Sequence, residues 1–200
     1  MYLFKLTLFI LSFLLSGFNI QTNNPNVVKW VINKGCSLTV GGSTNVNKFS
    51  CVIRNYNKPD TLTFYKGKPS QPVKMSGLLK LDVRNFDCHN PVMTGDLRKT
   101  LKTKEFPHLL IRFISLNRYP HYKDQSDIVK GTVTIELAGV TKHFTIDYKF
   151  IHDESGSIIL TGKRRLFFSD FNLVPPSKIG GMIKTNNELS IEFNLCVKTI

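Results

Sequence analysis

From Gly131 to Phe150 the chain reads GTVTIELAGVTKHFTIDYKF, and apolar and polar residues alternate on both sides of a small break. Val133, Ile135 and Leu137 share one parity, opposite Thr132, Thr134 and Glu136. Beyond Ala138-Gly139-Val140-Thr141, Phe144, Ile146, Tyr148 and Phe150 again share a parity, opposite Thr145, Asp147 and Lys149. A period of two marks a strand buried on one face, and two such runs around a short break make a hairpin. The same alternation recurs along most of the chain and constrains the fold more than any other feature.

An interrupted first strand is predicted over residues 27–32 and 36–40, with Trp30 buried in it. A turn is predicted at 41–44, and a second strand over 46–54 with Phe49, Cys51 and Ile53 on one parity. A loop at 57–60 precedes a strand at 62–65. Further strands are predicted over 73–83 (weakened by Gly77), 111–116, 129–137, 144–151, 157–168 and 189–197. In the last of these Leu189, Ile191, Phe193, Leu195 and Val197 face one way and Ser190, Glu192, Asn194 and Cys196 the other. This strand would close a barrel if it paired with the first. One segment breaks the pattern: in NPVMTGDLRKTLK, residues 90–102, Met93, Leu97 and Leu101 recur every four residues. Asn90 can cap the first free amides, Pro91 suits the first helical turn and Pro107 stops any continuation, so a short amphipathic helix is predicted with Arg98, Lys99 and Lys102 on its wet side. Many strands, local connections and one helix imply an antiparallel sandwich or barrel, which alternation does not tell apart. The helix would plug or cover one end of the sheet.

The compartment is set by the first residues. Lys5 is followed by LTLFILSFLL and then Ser16-Gly17. A bilayer span needs roughly twenty apolar residues, so this run fits a secretory leader over residues 1–18, with a basic start, an apolar middle and a small-residue end. No cysteine lies near it to carry a lipid anchor. The remainder is enough for one domain with a sizeable core, placed at residues 27–199. The expected location is exported, either periplasmic or secreted. The formal charge is +13, or +12 without Lys5. A balance this basic favours anionic partners, among them phosphorylated lipids, anionic membrane surfaces and acidic glycans; nucleic acid is the least available of them to an exported protein.

Four cysteines, Cys36, Cys51, Cys88 and Cys196, allow two bridges and three pairings in an oxidising compartment. No CxxC occurs, and Cys88-His89 has no companion pair, so zinc spacing is absent. Cys36 shares parity with Leu38 and Val40 whereas Cys196 shares it with Glu192, which places the two on opposite sides of a wall and makes them a poor pair. There is no GxSxG elbow, no HExxH and no phosphate-cradling glycine loop. His89, His108, His121, His143 and His152 are scattered, and no cofactor motif appears. Basic clusters occur at Lys163-Arg164-Arg165, on the helix and at Lys66 with Lys68. Tyr56, Tyr65, Tyr119 and Tyr122 lie near basic residues, yet no nucleic-acid-binding module spacing accompanies them. A binding protein, not an enzyme, is expected.

Four segments in order carry a resemblance: KGCSLTVGGSTNVNKFSC, VRNFDCHNPVMTGDLRKTLKTKEFPHLLIRF, VKGTVTIELAGVTKHFTIDYKF and FFSDFNLVPPSKIGGMIKTNNELSIEFNLCV. The chain resembles the exported, lipocalin-like YceI-like family. That pattern has a helix with an acid and a leucine (here Asp96-Leu97), a "yP-x-I-x-F" strand opening (Phe106-Pro107 with Ile111 and Phe113), a "V-x-G-x-L-x-L-x-G-V-T" hairpin (residues 129–141) and a late "D-F-x-x-x-P-P" segment (residues 170–176). The chain departs from it where a double-phenylalanine segment is shortened to Thr103-Lys104-Glu105-Phe106-Pro107, at the expected cavity mouth. The resemblance implies an all-β, antiparallel lipocalin-like barrel with a long apolar tunnel that holds a polyisoprenoid or similar long-chain lipid. It also implies a disulfide between Cys51 and Cys88, seen in one branch as FxC and FDC. The tunnel wall would then be Phe49, Ile111, Phe113, Val133, Ile135, Phe144, Ile146, Ile191 and Phe193. From charge alone, Arg98, Lys99 and Lys102 would attract an anionic head group at the mouth. The competing expectation is a barrel packed shut, acting as an envelope interaction module that binds anionic partners through its basic surface. Phe49, Phe113, Phe144, Phe150, Phe167 and Phe193, all assigned to apolar parities, are bulky enough to fill the interior.

Overall fold

A computed structural model describes residues 26–56, 58–68, 71–121, 127–152 and 156–200. The leader expected at residues 1–18, Asn57 of the expected loop, and Tyr122 lie outside the described residues. The strands are β1 (Val27–Ile32), β2 (Cys36–Thr44), β3 (Lys48–Tyr56), β4 (Thr61–Tyr65), β5 (Val73–Asp82), β6 (His108–Leu116), β7 (Ile128–Leu137), β8 (Val140–His152), β9 (Ile158–Phe167), β10 (Ser177–Lys178) and β11 (Ile183–Thr199). Helix α1 (Pro91–Thr100) lies between β5 and β6. Alternation becomes burial as expected: β8 buries Ile146, Tyr148 and Phe150 and exposes Thr145, Asp147 and Lys149.

All pairings are antiparallel, running β1-β4-β5-β6-β7-β8-β9-β11, and β11 returns to β1 with Trp30 opposite Thr199 and Ile32 opposite Val197. The result is a closed eight-stranded antiparallel barrel with extra strands. β2 continues the line of β1 along β11, with Val40 opposite Ile191 and Leu38 opposite Phe193, so β1 and β2 are the two parts of the interrupted first strand. Gly35, at φ +90°, supplies the break between them. The β8–β9 ladder stops at Asp147 and Lys163. Beyond it β9 leads into a 3-10 turn, Phe168–Phe171, whose Phe171 ring packs 5.9 Å from that of Phe144.

Inside, the two halves of the barrel are filled differently. Around β1, β4, β6, β8 and β11 a chain of buried rings runs Phe64–Trp30–Phe150–Tyr148–Phe193–Phe113, with centroids 4.3 to 6.4 Å apart. These spacings are those of favourable tilted and edge-to-face pairs. Glycine makes room for them: a Cβ on Gly162, which faces Phe193 across the ladder, would come within 2.2 Å of that ring's Cζ. Towards the other end, helix α1 lies across the opening. The Asn90 side chain accepts from the Met93 amide (3.1 Å), as its capping role requires, and Pro91 begins the helix. Cys51 and Cys88 form a disulfide, and Val52 and Asp87 exchange backbone hydrogen bonds of 2.8 and 3.0 Å, so the approach to the helix is fastened to β3.

Three local expectations are corrected. Residues 41–44 are the end of β2 and not a turn, because Gly42 pairs with Phe49 and accommodates its ring, 2.3 Å from where a Cβ would stand; the reversal comes after Thr44, whose amide donates to Asn47 O at 2.7 Å. Phe167 points outward, 41% exposed, and Phe168 goes inward at 2%. The inward parity of β9 runs through Ile158, Leu160 and Leu166, and the chain then turns with the Asp170 carboxylate accepting from the Phe167 amide (2.8 Å). Cys36 and Cys196 are free thiols, as the parity argument expects, yet they are neighbours: the Cys196 amide donates to Cys36 Sγ at 3.2 Å. Burial pushes the Cys36 thiol up to about 11.

Three stability measurements check this packing. Gly162→Ala overpacks the aromatic half and is expected to lower stability by ~1–3 kcal/mol in denaturant titration; a neutral result would mean the Phe193 ring has room to move. The Tyr148 hydroxyl is buried without a hydrogen-bond partner among the described residues, and an unpaired buried hydroxyl costs ~1–3 kcal/mol. Tyr148→Phe should therefore hold or raise the midpoint, and a clear loss would reveal a partner. Breaking the Cys51–Cys88 bridge by Cys88→Ser should cost ~2–4 kcal/mol, with peptide mapping of the unmutated, non-reduced protein recovering the two peptides linked.

Candidate ligand cavity and its mouth

The half of the barrel beneath α1 encloses a cavity with about 50 Å³ of free space. Its wall is built by inward parities: Leu38 and Val40 of β2, Leu109 and Ile111 of β6, Ile135 and Leu137 of β7, Leu166 of β9, and Leu189 and Ile191 of β11. Leu97 and Leu101 of the helix stripe close it from above, with Phe86, and Phe168, Phe171 and Leu173 close it from the side. Every one of these residues is apolar. A buried water needs two to four polar partners, so a cavity with none stays dry although it exceeds the ~10–15 Å³ one water needs. It is also smaller than the ~150 Å³ apolar cavity that takes up benzene, so hydrocarbon could enter it only as its walls move apart.

A second concavity, about 480 Å³ and open to solvent, lies outside the first. Phe49, Met93, Val46, Val92, Ile179 and Ile183 supply much of its surface. Leu97 and Phe168 line both spaces, so two side chains form the partition between groove and cavity. An ion pair from Asp96 of α1 to Lys178 of β10, 2.7 Å, sits on the groove wall. The Asp96-Leu97 dipeptide thus acts with both residues: one side chain ties the helix to the β10 segment and the other faces the interior.

The residues expected on the tunnel wall separate into groups. Ile111, Ile135 and Ile191 line the cavity. Phe49 lies in the groove outside it. Phe144 is half-buried against Phe171. Phe113 and Phe193 belong to the aromatic chain, and Val133 and Ile146 are buried core residues in register with Phe113 and Gly131. The expected full-length tunnel is therefore a cavity in one half, because rings occupy the other. Leu97, Leu101, Phe168, Phe171 and Leu173 lie outside the expected wall, as do Phe86 and the inward strand residues Leu38, Val40, Leu109, Leu137, Leu166 and Leu189. The helix stripe was visible for the first two, whereas the 3-10 turn after β9 leaves no periodic signal.

The expected head-group cations are elsewhere. Arg98, Lys99 and Lys102 line a separate surface concavity with Arg84, Lys104 and Glu105, and share none of the cavity or groove walls. Leu97 and Leu101 turn one face of the helix inward and leave these cations on the other. The Arg98 guanidinium is already engaged, donating to Arg84 O (2.5 Å) and Phe86 O (3.3 Å). The shortened segment Thr103-Lys104-Glu105-Phe106-Pro107 lies beside this basic surface, with Phe106 packed at Gly139, and away from the groove. Elsewhere Lys163 and Arg165 pair with Glu192 and Glu188 (3.0 and 3.5 Å), and Lys66 Nζ lies 4.1 Å above the Tyr119 ring. Tyr56 is buried with its hydroxyl donating to Asp60.

Solved structures share this architecture. A polyisoprenoid binding domain from Saccharophagus degradans, implicated in plant cell wall breakdown, superposes with a TM-score of 0.58 at 10% identity, covering 86% of this chain and 98% of the other. BcnA from Burkholderia cenocepacia superposes with a TM-score of 0.55 at 14% identity, covering 80% and 95%. At such identities the likeness is one of fold. No curated protein matches in sequence. The sequence profile of the YceI-like domain matches residues 21–196. With that profile spanning the barrel from before β1 to Cys196 near the end of β11, the chain belongs to the YceI-like family.

Proposed function

We propose that this protein is an exported carrier that holds the chain of a polyisoprenoid, or a similar long-chain lipid, in the apolar half of its barrel. The observation that carries the reading is the dry cavity walled only by apolar side chains and separated from an open apolar groove by Leu97 and Phe168. The description of the Saccharophagus degradans relative as polyisoprenoid binding supports it, and the apolar leader supports export. Burying hydrocarbon yields ~0.8 kcal/mol per CH₂, so a few isoprene units shared between the cavity, once opened, and the larger groove outweigh an association cost of roughly 4–15 kcal/mol. With rings filling the other half of the barrel, the chain would enter one end only. Its remaining length would lie in the groove against Phe49 and Met93. Leu97 and Phe168 must part to admit it, a change of side-chain rotamer that leaves the strands in place.

Volume substitutions test this directly. Ile135→Phe fills the cavity without adding charge. Binding of a fluorescent polyprenyl probe should fall at least about tenfold while the unfolding free energy from denaturant titration changes by less than ~1 kcal/mol, since a hollow site accepts the added volume. Ile146→Phe is the contrast, because it adds the same bulk opposite Gly131 in the packed region and should cost ~1–3 kcal/mol. An unmutated protein that binds no probe, or an Ile135→Phe protein that is destabilised while binding is unchanged, would return the barrel to the packed-module alternative.

A further inference from the structure

We propose that the rim of the groove is a docking surface for an anionic lipid bilayer, from which the cavity takes its lipid or to which it delivers it; this rests on the lipid-carrier reading. Four large apolar side chains stand out from the rim: Val46 is 65% exposed, Val92 67%, Ile179 66% and Met182 73%. They come from separate places in the chain, namely the β2–β3 turn, the first turn of α1 and the 3-10 turn after β10. Val46, Val92 and Ile179 nevertheless border the same groove. Met182 is held beside them by Asn45, whose side chain donates to Met182 O and accepts from the Lys184 amide, both at 2.9 Å, while its own amide donates to Lys184 O at 3.0 Å. Single exposed apolar residues are ordinary on protein surfaces. Three bordering one groove that leads to an apolar interior, with Met182 beside them, form a patch of the kind that marks a partner.

Charge selects the partner. Lys178 lines the groove, and Lys48 and Lys184 stand two residues along the chain from Val46 and Met182, all three exposed. Asp96 is the one carboxylate on the groove wall among the described residues, and it is already paired with Lys178. Apolar tips accompanied by lysines match the two layers of an anionic bilayer, acyl boundary and phosphate headgroups. The cargo argues the same way, since a lipid too apolar for water must be met at a membrane, and the groove reaches the cavity through Leu97 and Phe168. Docked by this rim, the protein would bring the groove against the bilayer, so that a chain could pass inward without crossing solvent.

The test is flotation of the purified protein with vesicles of phosphatidylcholine containing phosphatidylglycerol, compared with phosphatidylcholine alone and with high salt. The vesicles contain no isoprenoid, so the readout is independent of the cavity. Binding to the anionic vesicles is expected to exceed both controls by about tenfold, because each lysine near the surface adds attraction that salt screens. Met182→Asp, and the pair Lys48→Glu with Lys184→Glu, should each reduce vesicle binding by about tenfold. These three side chains border neither the groove nor the cavity, and the variants should bind a soluble fluorescent polyprenyl probe as the unmutated protein does. Absence of flotation at low salt, or flotation that the variants do not weaken, overturns the docking surface. So does a dimer in sedimentation that Met182→Asp returns to monomer with no vesicle binding, since the rim would then seat a second copy of the chain. Loss of probe binding by the unmutated protein, with vesicle binding intact, instead refutes the carrier reading and leaves docking standing.

Discussion

A closed eight-stranded barrel has an interior about as wide as the side chains that point into it. Whether it is solid or hollow is decided level by level, by the size of each inward residue. Here the rule gives opposite outcomes at the two ends. Rings on β1, β4, β6, β8 and β11 meet across one half, and Gly162 withdraws to let Phe193 reach the centre. Leucine, isoleucine and valine face one another across much of the other half, and they leave a narrow dry space.

The open end still needs a cover, and the chain supplies it with two departures from alternation. Helix α1 carries Leu97 and Leu101 inward, and its approach is fastened to β3 by the Cys51–Cys88 bridge and the Val52–Asp87 backbone pair. The 3-10 turn Phe168–Phe171 fills the place where β9 parts from β8. Phe168 and Leu97 both border the interior and the groove, so both departures converge on the passage a ligand would use. Strand β11, the longest in the barrel, joins these parts by pairing with β9, β10, β2 and β1 along its length.

Much of this fold was legible in the sequence, because half-buried strands write their burial as a period of two. The interrupted first strand, the 131–150 hairpin, the Asn90-capped helix and the closing role of residues 189–197 all follow from parity and capping chemistry. Parity shows which residues face inward but says nothing about depth along the barrel. That is why Ile111 and Ile135 could not be told from Phe113 and Val133, two residues away on the same strands. Glycines were a second blind spot. Gly42 reads as a turn former in isolation, yet its missing side chain is what lets Phe49 lie across a continuous strand. The cations of α1 were misplaced for a related reason: helical periodicity identifies a wet face without saying which surface of the fold it adjoins.

The central claim is that a lipid chain occupies one half of the barrel and is excluded from the other. Nuclear Overhauser contacts between an isotope-labelled polyprenyl chain and the protein's methyl groups measure this most directly. The account predicts contacts to the methyls of Ile111, Ile135, Ile191 and Leu97, with none to Val133 or Ile146. Contacts confined to the outer surface, or running through Val133 and Ile146 into the aromatic half, would contradict it.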